Sequence, residues 1–280
     1  MQIVYTVVLP VFLIFMLGFV GQRIYKLHIK SISTTAIYLM APVLVFRTFY
    51  RFTPDQSYLH IAAYGIVLSL LIILLVKIIA RIKGYDESVT NALILGTAFM
   101  NNGNLGAPLV LFAFGETAFM YAISIMVFHT VIMSTLGIYY AARGKADVRE
   151  SLLTVAKMPI LHALIIAVLW QYLHIPMPDN IYKAVDMVAQ ASIILIMLVM
   201  GMQLAEIRLE SPEWGKISLA VVIRLLVSPL IALLFTAIVA VDPLLGKVMI
   251  LEAAMPTATL TTMYALQFNV LPNLVTSISF

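Results

Sequence analysis

The sequence predicts an all-α membrane protein built as an inverted repeat of two five-helix units, with the tenth helix missing or truncated. Three observations predict it. Hydrophobic residues make up 62% of the 280-residue chain and charged residues only 11%, with a mean hydropathy of +1.04, whereas soluble domains carry about 25% charged residues. The apolar residues fall in runs long enough to cross a hydrocarbon core of about 30 Å as helices, without the alternation a barrel strand would show. Two of these runs are interrupted by breakers and polar residues at corresponding places in the two halves of the chain.

Span 1 covers Ile3 to Gln22, and the basic residues Arg23, Lys26 and Lys30 follow it. That is the reverse of a signal peptide's charge order, so the run reads as a first span with its N-terminus outside. Span 2 runs from Ser33 to Tyr50 with Pro42 inside it, span 3 from Leu59 to Ile82, span 4 from Val89 to Phe114 and span 5 from Thr117 to Ala142. The polar stretch Arg143–Glu150 is the best boundary between two halves. Spans 6 to 9 follow at Leu152–Leu173, Ile181–Leu204, Ile217–Val241 and Leu244–Gln267. The expected organisation is a first repeat over 1–142, a cytoplasmic connector over 143–150, and a second repeat over 151–280 with four spans and a partial fifth. The apolar segment that begins after Asn269 stops at Phe280, which reads as a truncated tenth span.

Loop charges support this count. The inner loops hold Arg23, Lys26, Lys30, Lys77, Arg81, Lys83, Arg143, Lys145, Arg149, Lys157, Arg208 and Lys216, and the outer ones only Arg47, Arg51, Lys183 and Lys247. This is the positive-inside bias, and it accounts for the net charge of +4 without a nucleic-acid partner. Cysteine is absent, which excludes disulfides, thiol catalysis and thiolate metal sites. There is no HExxH, GxSxG or GxxxxGK motif, so neither an intramembrane enzyme nor ATP drive within the chain is indicated, and no cofactor is implied.

The two interruptions carry the chemistry. Span 4 contains Asn101, Asn102, Gly103, Asn104, Gly106 and Pro108; span 9 contains Glu252, Pro256, Thr257 and Thr259. Irregular backbone at membrane depth survives only when buried in protein or lining a cavity. A lone Pro or Asn in a span often only bonds or packs on a neighbour; a cluster points to a discontinuous helix. Pro108 and Pro256 are expected at or near the first position of the second half-helices, where the missing N–H costs nothing. Free N–H groups and the helix dipole there suit a carboxylate. Asn101, Asn102 and Asn104 add neutral donors that can hold an anion and release it. Thr257 and Thr259 offer hydroxyls, or else bond back to the preceding turn. Gly103 and Gly106 allow a close helix crossing, which simple packing explains equally well.

Ionisable residues within spans are functional hypotheses by default. Glu252 reads as a proton or cation carrier, or as a Glu within reach of the outer surface. Asp186 and Gln190 are one turn apart on span 7 and share a face, with Gln190 the deeper, substrate-facing member. His129 reads as a proton relay or as a packed polar residue. Arg224 could neutralise an anion, but snorkelling to the inner surface is the expected reading. Arg47 and Arg51, at the outer end of span 2, could attract anions or only anchor the interface.

The chain resembles the auxin efflux carrier family through Asn101-Asn102-Gly103-Asn104-Leu105-Gly106-Ala107-Pro108, joined by Ala253-Ala254-Met255-Pro256 and a short basic connector between two halves. The resemblance covers nearly all of the chain except a tenth span. It implies ten helices in two inverted repeats of the bile-acid-symporter and NhaA type, with crossed broken helices 4 and 9, a scaffold part and a mobile transport part. It further implies organic-anion substrates, with malate or malonate favoured over auxin because the connector is short. The function expected is a secondary or facilitative carrier of small carboxylates working by an elevator-like mechanism in the plasma membrane. An anion channel or a non-transporting sensor is the alternative. The partners implied are the substrate anion and the lipid bilayer, with coupling to H+ or Na+ and a homodimer left open.

Overall fold

The computed structural model is all-helical among the described residues, which are 4–51, 56–142, 153, 155–207 and 213–279. The helices are α1 (Tyr5–Tyr25), α2 (Ile29–Arg51), α3 (Ser57–Lys83), α4 (Glu87–Thr97), α5 (Ala107–Phe114), α6 (Glu116–Ala141), α7 (Pro159–Tyr172), α8 (Asp179–Glu206), α9 (Trp214–Ile238), α10 (Pro243–Ala253), α11 (Thr259–Phe268) and α12 (Pro272–Ser279). Six of them, α1, α2, α3, α6, α8 and α9, are long and apolar enough to cross a membrane. The connector Arg143–Glu150, Arg208 and Phe280 lie outside the described residues.

Helix boundaries follow local chemistry. α3 stops where Gly84 takes a left-handed conformation at φ 66°, the usual C-terminal use of glycine. The Asp86 carboxylate accepts from the Val89 amide to start α4, and Asp242 accepts from Leu244 and Leu245 to start α10, with Pro243 at its first position. α7 begins at Pro159, after Met158 in extended backbone, and Leu152, where span 6 is expected to start, lies outside the described residues. Several long helices widen locally into one π-helical turn. The turns at Val4–Val8, Thr35–Met40, Asn102–Gly106 and Ile223–Val227 each end two residues before a proline, namely Pro10, Pro42, Pro108 and Pro229. Proline removes one ladder bond and crowds the carbonyl four residues back, and widening the preceding turn relieves both.

The chain folds into two compact units, each drawn from three separated segments. Unit 1 comprises Met1–Pro54, Gly103–Ile123 and Ala156–Ile207, and unit 2 comprises Asp55–Asn102, Ser124–Val155 and Arg208–Phe280. Within unit 1, α1 and α8 touch backbone to backbone. A Cβ on Gly18 would sit 2.1 Å from the Leu198 carbonyl oxygen, and one on Gly201 would sit 1.9 Å from that of Phe15. Small residues permit this approach in membranes, where dispersion rather than water expulsion drives helix pairing. Val11, Phe15, Met197 and Met200 form the core beside that contact. Within unit 2, the Tyr64 hydroxyl on α3 donates to the Met249 carbonyl of α10 at 2.7 Å. The methyl groups of Ile278 on α12 lie against Gly96, where a Cβ would meet them at 3.0 Å.

Candidate functional site

The two interrupted segments meet backbone to backbone in unit 2. α4 ends at Thr97 and α10 at Ala253. Beyond those ends the Asn101 amide donates to the Pro256 carbonyl at 2.8 Å, and the Ala258 amide donates to the Phe99 carbonyl at 3.0 Å. Met100 and Thr257 therefore face each other in a short antiparallel bridge. Each stretch supplies the hydrogen bonds its partner loses on leaving the helix, which is what buried irregular backbone requires. Pro108 is near the first position of α5, as its chemistry predicts. Pro256 does not open α11, which starts at Thr259; it lies in the bridge and presents its carbonyl to Asn101. A proline can do so because the bridge uses its acceptor and not its missing donor.

The carbonyls at the two helix ends converge on one guanidinium. Arg224, only 2% exposed, donates from Nη1 to the Thr97 carbonyl at 2.7 Å and from Nη2 to the Ala253 carbonyl at 2.6 Å. Its Nη2 also donates to the Ser228 hydroxyl one turn along α9. Arg224 thus does not snorkel to the surface. The C-terminal end of a helix carries about half a negative charge, and two such ends hold the cation where no carboxylate is within ion-pair distance among the described residues. Thr257 completes this arrangement: its hydroxyl donates to the Gly96 carbonyl at 2.5 Å, tying the second stretch to the end of α4 instead of bonding back along its own helix.

Other polar groups of unit 2 are buried with unused hydrogen-bonding capacity. Asn101 and Asn102 are 4% and 2% exposed, and both amide atoms of Asn102 lack a partner among the described residues. Glu252, in the last turn of α10, is wholly buried, so it is not a residue at the outer surface; neither carboxylate oxygen has a partner among the described residues. His129 is buried, bonds the Ala98 backbone and leaves Nε2 without a partner among the described residues. Burying a polar group without a partner costs roughly 1–3 kcal/mol, so three such groups in one unit mark chemistry beyond packing. A cavity of about 280 Å³ in the same unit reaches Arg224 and Pro256.

The remaining sequence candidates belong to unit 1. Gly103, Asn104, Gly106 and Pro108 continue the chain through the π-helical turn into α5. Asp186 on α8 accepts from Arg47 Nε at 2.8 Å and from Gln190 Nε2 at 2.6 Å, so the shared face is real and already engaged. Arg47 also reaches Glu116 at 3.4 Å. It is therefore a buried ion-pair centre rather than a simple interfacial anchor. Arg51 stacks over the Tyr182 ring at 4.8 Å.

Sequence reasoning missed Tyr64 and misread Arg224. Nothing in the sequence marks Tyr64 among the other aromatics of the apolar runs. For Arg224 a local signal exists: it lies eight residues beyond Lys216 along the apolar run, too deep for easy snorkelling, and is followed one turn later by Ser228.

A profile of the family described as membrane transport protein matches residues 3–280. An uncharacterized transporter of Methanocaldococcus jannaschii is 28% identical over 260 residues, covering 87% of this chain and 83% of its own length. An uncharacterized transporter of Methanothermobacter thermautotrophicus is 26% identical over 278 residues, covering 98% of this chain and 91% of its own length.

Proposed function

The chain belongs to the membrane transport protein family, which is that of the auxin efflux carriers, and from that premise we propose that it is a carrier of small organic anions such as malate or malonate. The observation that carries the reading is Asn102, a buried amide with no partner among the described residues, beside the bridge between the two interrupted segments. Neutral donors bind a carboxylate without the charge that would prevent its release. The substrate-site residues of unit 2 are Asn101, Asn102, Pro256, Thr257 and Thr259, and the candidates of unit 1 are Gly103, Asn104, Gly106, Pro108 and Gln190. Arg224 is a positioning residue: it holds the two helix ends.

Transport follows an elevator-like cycle. The repeats over 1–142 and 151–280 are related by inversion, with the N-terminus outside the plasma membrane. Glu252 and His129 serve H+ or Na+ coupling, and Asp186 does so through its ion pair with Arg47. The test is counterflow in liposomes. Protein loaded with malonate or malate should drive saturable uptake of the labelled anion, and Asn102→Ala should abolish that uptake with an unchanged Tm, since it removes no hydrogen bond. Full uptake by a well-folded Asn102→Ala protein would refute this site, and uptake that never saturates would favour a channel.

A further inference from the structure

A second cavity, of about 400 Å³, lies in unit 2 where α3 ends, α4 begins and α6 ends. Its volume is that of a small-molecule site. Its lining includes Lys77 and Arg81 from α3, Glu87 and Asn91 from α4, and Tyr139 and Tyr140 from α6. These are the ends of two membrane-spanning helices, so the cavity opens at the level of the lipid headgroups, where tyrosines are enriched.

Three features indicate its ligand. The cations are one turn apart on one helix, so they face the same volume. Lys77 is held with its Nζ 5.1 Å from the Tyr140 ring centre, and Arg81 has no ion-pair partner among the described residues. Two cations against the one carboxylate of Glu87 leave a single net positive charge. Asn91 is 5% exposed, lines the cavity, and has no hydrogen-bond partner among the described residues; a buried amide left open toward a basic cavity is a donor awaiting an acceptor. Finally, Leu74, Ile78 and Ile82 are exposed at four-residue spacing beside the Lys77–Arg81 row, an apolar ridge running along the helix from the cavity into the depth of the bilayer.

We infer that this cavity binds the phosphodiester headgroup of an anionic lipid, with its acyl chains lying along the Leu74–Ile78–Ile82 ridge. A phosphodiester carries one negative charge, which matches the net charge of the lining. Lys77 and Arg81 face its non-bridging oxygens, Asn91 supplies a neutral donor, and Glu87 can accept from a headgroup hydroxyl. Basic pockets between transmembrane helices recognise anionic headgroups in this way. A free phosphate shares the headgroup chemistry but would gain nothing from the ridge.

The test uses the full chain, purified in detergent and offered phosphatidylglycerol and phosphatidylcholine in equal amounts, with retained lipid read by native mass spectrometry. The wild type should retain phosphatidylglycerol preferentially. Lys77→Gln combined with Arg81→Gln should weaken that retention by about tenfold or more. Asn91→Leu, which fills the cavity and removes no charge, should weaken it as well, whereas Lys83→Gln, outside the lining, should not. Millimolar inorganic phosphate should leave the lipid bound. Equal retention of both lipids by the wild type, an unchanged preference in the double variant, or displacement of phosphatidylglycerol by inorganic phosphate would each overturn the assignment.

Discussion

Arg47 and Arg224 are both buried in apolar helices, yet they are held by different physics. Arg47 is 7% exposed and faces two carboxylates, Asp186 and Glu116, whose side chains are 25% and 66% exposed. Its charge is cancelled by formal opposite charges near water. Arg224 is 2% exposed and its acceptors are neutral: two backbone carbonyls and one hydroxyl. Its charge is balanced by the dipoles of two helix ends, about half a unit each. An ion pair can be replaced by apolar residues of similar size. The carbonyls at a helix end cannot be removed by substitution, so a cation that satisfies them has no side-chain equivalent. Unit 1 therefore uses its arginine as one half of a pair, and unit 2 uses its arginine as part of the backbone.

The sharpest way to break this contrast is Arg224→Gln. A glutamine amide reaches at most one of the two carbonyls, and each buried acceptor left unpaired costs about 1–3 kcal/mol. The expected result is a fall in Tm on the order of 10 °C, measured by thermal unfolding in detergent, with loss of anion uptake. Arg224→Lys keeps the charge but lacks the planar fork, so it should fall between Gln and wild type. A wild-type Tm for Arg224→Gln would show that the two helix ends need no cation.

The paired arginine should behave differently. Arg47→Met leaves Asp186 partly exposed and still bonded to Gln190, so the loss should be near 2 kcal/mol, below that of a fully buried pair. Adding Asp186→Leu should restore at least about 1 kcal/mol, because the uncompensated carboxylate is gone. A double-mutant cycle on unfolding midpoints reads this coupling directly. Purely additive losses would mean that Arg47, like Arg224, is held by something other than its counter-charges.

What the sequence made legible follows the same divide. The long apolar helices and the face shared by Asp186 and Gln190 rest on side-chain pattern, and pattern is what a sequence displays. Pro108 fits its expected place near a helix start for the same reason. Pro256 and Arg224 did not, because their partners are backbone groups from distant segments: Asn101 for one, Thr97 and Ala253 for the other. Backbone carbonyls are identical at every position, so no residue type announces which of them an arginine will find. The two compact units were equally hidden. Each takes segments from both halves, and which spans associate is decided by contacts such as those of Gly18 on α1 and Gly201 on α8, where the glycines look ordinary until the helices meet.

The smallest effect separates support from recognition. Gln190 is exposed on α8 and donates to Asp186, which Arg47 also holds. Gln190→Leu removes one of two donors to a partly hydrated carboxylate, so stability should change by less than about 0.5 kcal/mol. If Gln190 meets the substrate, the same variant should raise the KM for anion uptake, by no more than about tenfold for one neutral hydrogen bond, while Tm stays fixed. A drop in Tm approaching that of Arg47→Met would instead make Gln190 a structural part of the ion pair. An unchanged KM at an unchanged Tm would remove it from the substrate site and leave that site to the amides and hydroxyls around the bridge between Met100 and Thr257.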